Sequence, residues 1–340
     1  MRSIGAVVRG VVVGVGFWLV AATGGAQIYL ANANADSVLV FDPAVGGDQP
    51  PLQEITGAAN PVDLASSVCV DPGRGEMFVA GRFQDRVVVF PIGADGPTPI
   101  QREIAGAATA IDTAWDVDCD FERGEVYVLS KDSSEILVFP ADASGNVLPV
   151  RSLVTLPSWD PNTIDFELDL VHDEIFVASR TPGPAAILVL RRGDTGIVSV
   201  VRSIAGAATG LTNPGAVAVD PVHDEIFVVQ SSSVRVFPRT ASGDVPPLRT
   251  ISGAATGLLA TRDVAVDPEA GEISVVRTSP DEAILIFPRT AQGDVAPIRT
   301  IVGPATAIDG PSLHAYYPRL VFADGFEAAV AFESWSVVVP

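Results

Sequence analysis

An internal repeat constrains the fold of this chain more than any other feature. The segment Val234–Leu258 (VRVFPRTASGDVPPLRTISGAATGL) recurs with few changes at Ile284–Ile308. A second motif, VAVDPVHDEIFVV from Val217, also recurs along the chain. Its aspartates are Asp71, Asp120, Asp169, Asp220 and Asp267, which gives spacings of 49, 49, 51 and 47 residues. A period of about 40–50 residues built from short strands is typical of β-propeller blades.

The number and closure of the blades follow from the ends of the repeat. Alternating β-branched residues bounded by Gly, Pro and Asp predict four antiparallel strands per repeat, and the Val-Phe-Pro type of strand occurs six times. The first repeat begins at Gln27 without its first strand, whereas Leu313–Pro318 aligns with such a strand. We therefore predict an all-β, six-bladed β-propeller over residues 27–318, closed by pairing of the C-terminal strand with the N-terminal blade, which removes two exposed sheet edges.

The N-terminus has the pattern of an export signal. Arg2 and Arg9 make the first residues basic, and an apolar run follows at Val11–Ala22. The small residues Gly24, Gly25 and Ala26 then provide a cleavage site after Ala26. The run is shorter than the ~20 residues that span a bilayer, which favours a cleaved signal peptide over residues 1–26 rather than an uncleaved anchor. We expect a mature chain without a membrane span that is periplasmic, extracellular or at the cell surface.

Residues 319–340 are predicted to form a separate C-terminal tail. The stretch FADGFEAAVAFESWS from Phe322 resembles the short DGFESG…W ending of many exported bacterial proteins, although Ala328-Ala329 replaces its Ser-Gly. This resemblance implies a surface or sorting role. The alternative is a chain end that packs a few aromatic residues on the propeller.

The charge of the chain narrows the classes of partner. The formal net charge is −20, and removal of the two N-terminal arginines makes it −22 (−20 minus 2). Such a surface repels phosphate backbones and anionic lipids, which excludes nucleic acid as a main partner. Cations and cationic surfaces remain compatible, and solubility alone is a simpler explanation of the charge. A closed, charged ring also favours a monomer.

Five acidic residues stand out because they depart from the repeat. Asp116 and Asp118 alternate on the first strand of blade three, and Asp165 and Glu167 do so on blade four. Asp263 occupies the same repeat level on blade six. Alternate residues share one face of a strand, and carboxylates crowded near the axis repel unless they are hydrated, protonated or bound to a cation. These residues are a candidate metal site for calcium or magnesium, with calcium preferred; the alternative is a water-filled acidic channel.

The two cysteines of the chain have neighbouring positions in the repeat. Cys69 and Cys119 fall on the first strands of adjacent blades, one position out of register. The offset places them on opposite strand faces, so that one can point toward the other. In an oxidising compartment this predicts a disulfide; the alternative is two buried thiols.

Few other residues suggest chemistry. His172 and His223 fall in hairpin turns, whereas His314 lies on the closing strand near the axis. Four arginines share one repeat position, which predicts structural pairing with acids on a neighbouring strand. They are Arg151, Arg202, Arg249 and Arg299.

A candidate binding surface involves two tryptophans. Trp115 and Trp159 are predicted to lie in crossovers that lead to the acidic strands. Together with Arg262 they could line a shallow pocket for a sugar or a peptide. The alternative is that the two rings anchor loops by packing.

The repeats, best seen in NPGAVAVDPVHDEIFVVQSSSVRVF (Asn213–Phe237), resemble the NHL and YVTN-type repeats of bacterial propellers. The resemblance implies an interaction platform, a sugar or peptide binder, or a lactonase-like metal hydrolase. The preferred hypothesis is an exported non-catalytic platform that binds an unidentified protein or small molecule. The alternative is a lactonase-like hydrolase with a divalent cation at the channel mouth. Its candidate ligands are Asp116, Asp165, Glu167, Asp263 and Asn213 or Asn162. No nucleophile motif, metalloprotease motif or P-loop occurs, and no general base is evident.

Overall fold

A computed structural model describes residues 26–57, 62–155, 163, 165–180 and 185–317. The predicted signal peptide, apart from Ala26, and the predicted tail lie outside the described residues. In these ranges the chain is built of strands, together with four single-turn 3-10 helices. No helix among them is long and apolar enough to cross a bilayer.

Six antiparallel sheets form the six blades of a β-propeller, as the repeat predicts. The strands of each blade are given from the innermost outward. Blade one consists of β25 (Pro311–Tyr317), β1 (Gln27–Asn32), β2 (Ser37–Phe41) and β3 (Gln53–Ile55). Blade two consists of β4 (Ala65–Asp71), β5 (Glu76–Gly81), β6 (Arg86–Pro91) and β7 (Arg102–Ala105), and blade three of β8 (Ala114–Asp120), β9 (Glu125–Ser130), β10 (Glu135–Pro140) and β11 (Arg151–Thr155). Blade four consists of β12 (Phe166–Asp169), β13 (Glu174–Ser179), β14 (Ala186–Arg191) and β16 (Arg202–Ala205). Blade five consists of β17 (Ala216–Asp220), β18 (Glu225–Gln230), β19 (Ser233–Pro238) and β20 (Arg249–Ser252), and blade six of β21 (Thr261–Asp267), β22 (Glu272–Arg277), β23 (Ala283–Pro288) and β24 (Arg299–Val302).

The ring closes through the C-terminal strand. Strand β25 pairs antiparallel with β1, with Tyr317 opposite Gln27 and His314 opposite Leu30. The innermost strands also contact each other in sequence around the whole ring, in the order β25, β4, β8, β12, β17, β21 and back to β25. Both observations confirm the predicted closure, and every innermost strand faces a shared axis.

The core lies between adjacent blades. Apolar side chains of neighbouring sheets interdigitate there, and full burial of a large apolar side chain contributes roughly 1.5–3 kcal/mol. The third residue of the second strand is an aromatic residue in five blades and is nearly or completely buried. These residues are Tyr29, Phe78, Tyr127, Phe176 and Phe227, and blade six has Ser274 instead.

A capped turn joins each of several blades to the next, and it explains two motifs of the repeat. The short helix η3 (Ala254–Thr256) follows Gly253, and the carboxylate Oδ1 of Asp294 on the next blade accepts the N–H of Ala255 at 2.6 Å. Equivalent bonds of 2.6 Å start the other 3-10 helices η1 (Ala107–Thr109), η2 (Ala207–Thr209) and η4 (Pro304–Thr306), through Asn146, Asp244 and Asp48. The Gly-Asp turn of one blade therefore caps the Gly-Ala-Ala-Thr segment of the preceding blade.

One junction carries an additional strand. Residues Gly196–Val198 form β15, which pairs parallel with β11 of blade three. Elsewhere the same contact is reduced to a single bridge, such as Ile251 with Gly293. Parallel contacts between blades thus accompany the four antiparallel strands in each blade.

The repeated arginines form ion pairs at the opposite end of the blades from the short helices. Arg249, which begins an outermost strand, donates two hydrogen bonds to Glu225 at the start of the second strand of the same blade. Equivalent pairs are Arg102–Glu76, Arg151–Glu125, Arg202–Glu174 and Arg299–Glu272. The arginines pair with acids, as expected, but the acids do not lie on a neighbouring strand. Each glutamate lies on the second strand and each arginine on the outermost strand, so that the long arginine side chain crosses over the third strand.

Candidate functional site

The five acidic residues line one cavity on the axis of the ring. The cavity has a volume of about 180 Å³ and is bounded by innermost strands from all six blades. Asp116, Asp118, Asp165, Glu167 and Asp263 all line it, together with His314. The structure therefore brings together every acid of the predicted site. We call these five residues the acidic channel.

Asp116 links three blades by accepting hydrogen bonds. Its Oδ1 accepts the hydroxyl of Ser67 on blade two at 2.7 Å. Its Oδ2 accepts the backbone N–H of Phe166, on the innermost strand of blade four, at 3.0 Å. The carboxylate is thus a structural acceptor for an N–H at a strand edge, which would otherwise face the channel without a protein partner.

The three other aspartates of the channel repeat this arrangement. Each accepts the backbone N–H of a residue on the innermost strand of the next blade. The bonds run to Asp118 from Leu168 (3.0 Å), to Asp165 from Val217 (2.7 Å) and to Asp263 from His314 (2.6 Å). Neighbouring innermost strands are therefore joined by side chains, although no strand pairing joins them.

Burial favours the protonated form of these acids. It raises the pKa of Asp116 and of Asp118 to about 7, and the surrounding carboxylates contribute to both shifts. Burial, followed by repulsion from neighbouring carboxylates, also raises the pKa of Asp165 and of Glu167 well above the usual range. Burial and mutual repulsion thus both disfavour the charged form of these four carboxyl groups.

The geometry of the channel does not gather ligands around one point. Across the described ranges, no three His, Cys, Asp or Glu side chains converge in a way that could hold a metal ion. Asn213 is exposed in the loop before β17, and Asn162 lies outside the described residues. A calcium site in the channel stays a prediction.

His314 belongs to a buried network that closes the ring. Its Nδ1 lies 2.8 Å from Oδ2 of Asp263, and its Nε2 lies 2.5 Å from the hydroxyl of Ser274. The order Asp, His, Ser resembles a hydrolytic triad, but Ser274 is 0% exposed, so that no substrate can reach its oxygen. The network therefore fastens the closing strand to blade six.

Ser274 was missed in the sequence, although a signal was present. It replaces the aromatic residue found in the other five blades, whereas His314 replaces an apolar residue at the aligned position of the next strand. The large imidazole occupies space that the small serine leaves. Both residues differ from those at the aligned positions of the other blades, and they lie on neighbouring blades. Two such differences together are the sequence signal that could have identified the contact.

The other two histidines belong to hairpin turns. The Nδ1 atoms of His172 and His223 lie 2.9 Å and 2.8 Å from the carboxylates of Asp169 and Asp220, three residues earlier. The backbone N–H groups of the same histidines also bond to these aspartates. Their side chains stabilise tight turns at the far end of the blades.

The two cysteines lie against each other between blades two and three. In the structure the sulfur atoms of Cys69, on β4, and Cys119, on β8, are 1.97 Å apart, as in a disulfide. Their Cα atoms are 5.7 Å apart, within the usual range for such a bond. The cross-link would join two innermost strands next to the acidic channel.

Trp115 is surrounded by cations. It lies on β8 itself, and the expectation that it belongs to a crossover is wrong because the strand begins one residue earlier, at Ala114. Nζ of Lys131 and Cζ of Arg82 lie 3.7 Å and 3.9 Å from its ring centroid, and Cζ of Arg262 lies 5.3 Å from it. We call these four residues the Trp115 cluster. Trp159 lies outside the described residues.

The Trp115 cluster lies at one mouth of the channel. Trp115 and Arg262 immediately precede Asp116 and Asp263, on blades three and six, which lie opposite each other in a ring of six. Arg82 and Lys131 follow directly after β5 and β9, whose ends lie at the same mouth because second strands run antiparallel to innermost strands. Arg262 therefore reaches across the axis toward Trp115.

Among the described residues, the cations of this cluster form no ion pair with a carboxylate. Arg82 donates to the hydroxyl of Ser312 at 2.7 Å, and within the described part of the chain no carboxylate lies within 4.0 Å of Arg82, Lys131 or Arg262. Most other cations do have such partners, as at the five Arg–Glu pairs of the opposite end. The contrast is large in a chain with 41 acidic and 21 basic residues.

Comparisons with known proteins identify the fold. Neither a protein-family model nor a curated protein matches the sequence. Among solved structures, a functionally unknown protein from Desulfotomaculum acetoxidans matches with a TM-score of 0.57 and 11% identity, over 86% of this chain and 98% of that one. A chain from a nidogen/laminin complex matches with a TM-score of 0.59 and 8% identity, over 86% and 98%.

A third structure, the hydrazine synthase of Kuenenia stuttgartiensis, matches with a TM-score of 0.50 and 12% identity, over 66% of this chain and 62% of that one. At such identities, similarity concerns the backbone fold and not the chemistry of a site. The sheet topology and these similarities together establish that the chain is a six-bladed β-propeller.

Proposed function

We propose that this protein is an exported, non-catalytic binding propeller whose ligand or partner docks at the mouth formed by the Trp115 cluster. The observation that carries the proposal is the set of cations around Trp115 that have no carboxylate partner among the described residues. Like charges held close together are costly to the folded protein, and a bound partner can offset that cost. Unpaired charge at a concave mouth is typical of a binding site rather than of packing.

The acidic channel supports a structural interpretation over a catalytic one. Its aspartates accept N–H groups of neighbouring blades, so their oxygens are already engaged in holding the ring. The Ser274 hydroxyl is fully buried, which argues against a nucleophile. Similar folds occur in a nidogen/laminin complex and in hydrazine synthase, so the fold does not choose between binding and catalysis.

Export and repeat type are part of the same proposal. The basic and apolar N-terminal segment favours secretion, and a Cys69–Cys119 cross-link suits an oxidising compartment. We place the repeats with the NHL and YVTN-type propellers on their VAVDP…EIFVV…VFP pattern.

Binding arrays test the proposal. The full chain, expressed with its N-terminal segment and purified, is applied to glycan and peptide arrays alongside Lys131→Gln and Arg262→Gln. The matched control is Arg74→Gln, which removes one charge at the opposite end of the blades. We expect ligands whose binding falls at least tenfold in both mouth variants and is unchanged in the control.

Two outcomes contradict the proposal. Binding that is equal in all variants would place the binding face elsewhere. Hydrolysis of lactones that requires a divalent cation and is lost in Glu167→Gln would favour the metal hydrolase instead.

A further inference from the structure

We infer that the Trp115 cluster is a carboxylate-binding site, in which Arg262, Arg82 and Lys131 hold a single carboxylate group of the ligand at the mouth of the channel. The inference rests on the proposed function, since it names the chemistry of the ligand at the same mouth. It is carried by the arrangement of the cations around the indole of Trp115, by the lack of a carboxylate within 4.0 Å of them among the described residues, and by the net charge of the chain.

The first step is that cations gather around the indole ring of Trp115. A group 3.7–3.9 Å from the ring centroid must lie above or below the ring, because the ring atoms and their contact radii keep in-plane neighbours farther away. Arg82 and Lys131 therefore both lie against the indole, and Arg262 lies 5.3 Å from its centroid. Positive charge is thus concentrated around one side chain, which favours recognition of a ligand by its charge.

The second step is that N–H donors at the site lack acceptors. Trp115 Nε1 and Arg82 Nε are buried, and neither has a hydrogen-bond partner among the described residues. A buried donor without an acceptor costs free energy, but these two atoms are as shielded from solvent as the Ser274 hydroxyl. The charges of the cluster, and not these two N–H groups, would therefore hold an anion at this mouth.

The third step concerns the repulsion within the cluster. Burial, and then the charge of Arg262, lowers the pKa of Arg82 to about 10. Burial also lowers the pKa of Lys131; the charge of Asp132 opposes this shift, and the charges of Arg82 and Arg262 add to it. An anion among the three groups would relieve their mutual repulsion.

The fourth step selects a carboxylate among anions. A polyanion is repelled by the rest of a chain whose formal net charge is −20, and Asp263 lies next to Arg262 in sequence, at the start of the acidic channel. A singly charged group limits this repulsion. Its two oxygens also match the fork of a guanidinium group, which favours a carboxylate. The carboxylate can come from a small organic acid or from an acidic side chain of a polypeptide.

Titration with matched probes tests the inference. Tryptophan fluorescence and calorimetry follow the binding of N-acetylglutamate, of its neutral dimethyl ester, of inorganic sulfate, and of a glutamate-containing peptide beside its glutamine analogue. We expect the acid or the glutamate peptide to bind, and the ester, sulfate and glutamine peptide to bind at least tenfold more weakly. Affinity should fall with added salt, because the contact is ionic.

Variants show whether the carboxylate binds at Arg262, and the probes show whether it belongs to a small molecule or to a polypeptide. Arg262→Gln should weaken it at least tenfold and Arg262→Lys less, whereas Arg74→Gln should leave it unchanged; equal melting temperatures check that the variants fold. Binding of the free acid as tight as that of the peptide indicates a small-molecule ligand, and binding of the peptide alone indicates a protein partner. Equal binding of acid and ester, or tighter binding of sulfate, overturns the inference.

The failure of the inference and of the proposed function are distinguishable. If array ligands depend on Arg262 and Lys131 but are neutral, the mouth binds without a carboxylate, and only the inference fails. If nothing that binds depends on these residues, both fail.

Discussion

Asp116 accepts the backbone N–H of Phe166 at 3.0 Å, although the two residues lie 50 positions apart and on adjacent blades. The contact shows how innermost strands that do not pair are held side by side. Blade five has Ala216 at the equivalent position and cannot form it, and there the N–H of Val264 is instead accepted by its neighbour Asp263 at 2.8 Å.

Substitution of Asp116 measures the strength of this link. Asp116→Leu should lower the free energy of unfolding by about 1–3 kcal/mol, because the N–H of Phe166 and the hydroxyl of Ser67 lose their acceptor. Asp116→Asn should cost less, since one acceptor oxygen remains. Chemical denaturation measures both, with the exposed Asp142→Asn on the same blade as the control. Equal stability of Asp116→Leu and wild type would show that channel water replaces the carboxylate.

The acidic channel should make stability depend on pH. The folded-state pKa of Asp116 and of Asp118 is raised to about 7, above the unfolded value, so the protonated form stabilises the fold. This stability is fully present below about pH 4 and is lost as pH rises through about 7. The melting temperature should therefore decrease as the pH rises from 5 to 8. It is measured with a chelator present, which removes bound cations.

Glu167→Gln tests the same effect at one residue. The pKa of Glu167 is raised by burial and by its acidic neighbours, and the substitution removes an ionisable group without loss of a hydrogen bond that holds the strands. The melting temperature of the variant should exceed that of wild type by about 2 °C or more at pH 8, with a much smaller difference at pH 5. The exposed Glu269→Gln serves as the control. An unchanged pH profile would mean that the channel is fully hydrated.

Ser274 and His314 should be energetically coupled. Ser274→Phe alone restores the aromatic residue of most other blades but must displace the imidazole, and His314→Val alone leaves a gap and an unbonded hydroxyl. The double variant reproduces the pairing of the other blades. A double-mutant cycle should give a coupling of about 1–3 kcal/mol, with the double variant more stable than the sum of the single effects predicts. Additive effects would disprove direct compensation.

The cap between blades requires a glycine at position 253. A Cβ atom there would lie 2.3 Å from the carboxylate carbon of Asp294, and the φ angle is 134°. Gly293, at the same junction, has a φ angle of 75° and open space around its missing Cβ. Gly253→Ala should therefore lower stability by more than the about 1–2 kcal/mol expected for Gly293→Ala, measured by thermal unfolding. The reverse order would contradict the role of the turn.

The cysteine pair should be oxidised in protein that is expressed with its N-terminal segment and purified without reductant. Intact-mass measurement after thiol alkylation without reductant should find no labelled cysteine, and labelling of both would disprove the bond. Cys69→Ser combined with Cys119→Ser should then lower stability by about 2–4 kcal/mol, since the bond closes a loop between residues 50 positions apart.

The fold was predictable because its information is local and repeated. Each blade carries the same strand and turn pattern, and the half-unit that begins at Gln27 is completed by the one that ends at Tyr317. The acids of the channel were also predictable as a group, because repeat alignment assigns Asp116 and Asp263 to one level of the ring.

The partners of these residues were not predictable in the same way. The N–H that Asp116 accepts belongs to a residue one whole repeat away, and backbone groups leave no trace in the pattern of side chains. Trp115 was assigned to a crossover because strand bounds are uncertain by a residue or two. Two of its cations, Arg82 and Lys131, follow the second strands of blades two and three, whereas Arg262 lies on the innermost strand of blade six. No periodicity of the sequence indicates that these residues surround one indole.

Closure by β25 sets the order in which the protein can be completed. Strand β1 is synthesised before the strands of blades two to six, and its partner β25 after them, so the first blade keeps an unpaired edge until the other five blades have been made. During that interval, five blades can stack while the gap beside blade one remains open to strands of other chains. A nascent chain interrupted before Pro311 would therefore form an open arc of blades in which the edge of β1 stays unpaired, and not a smaller ring.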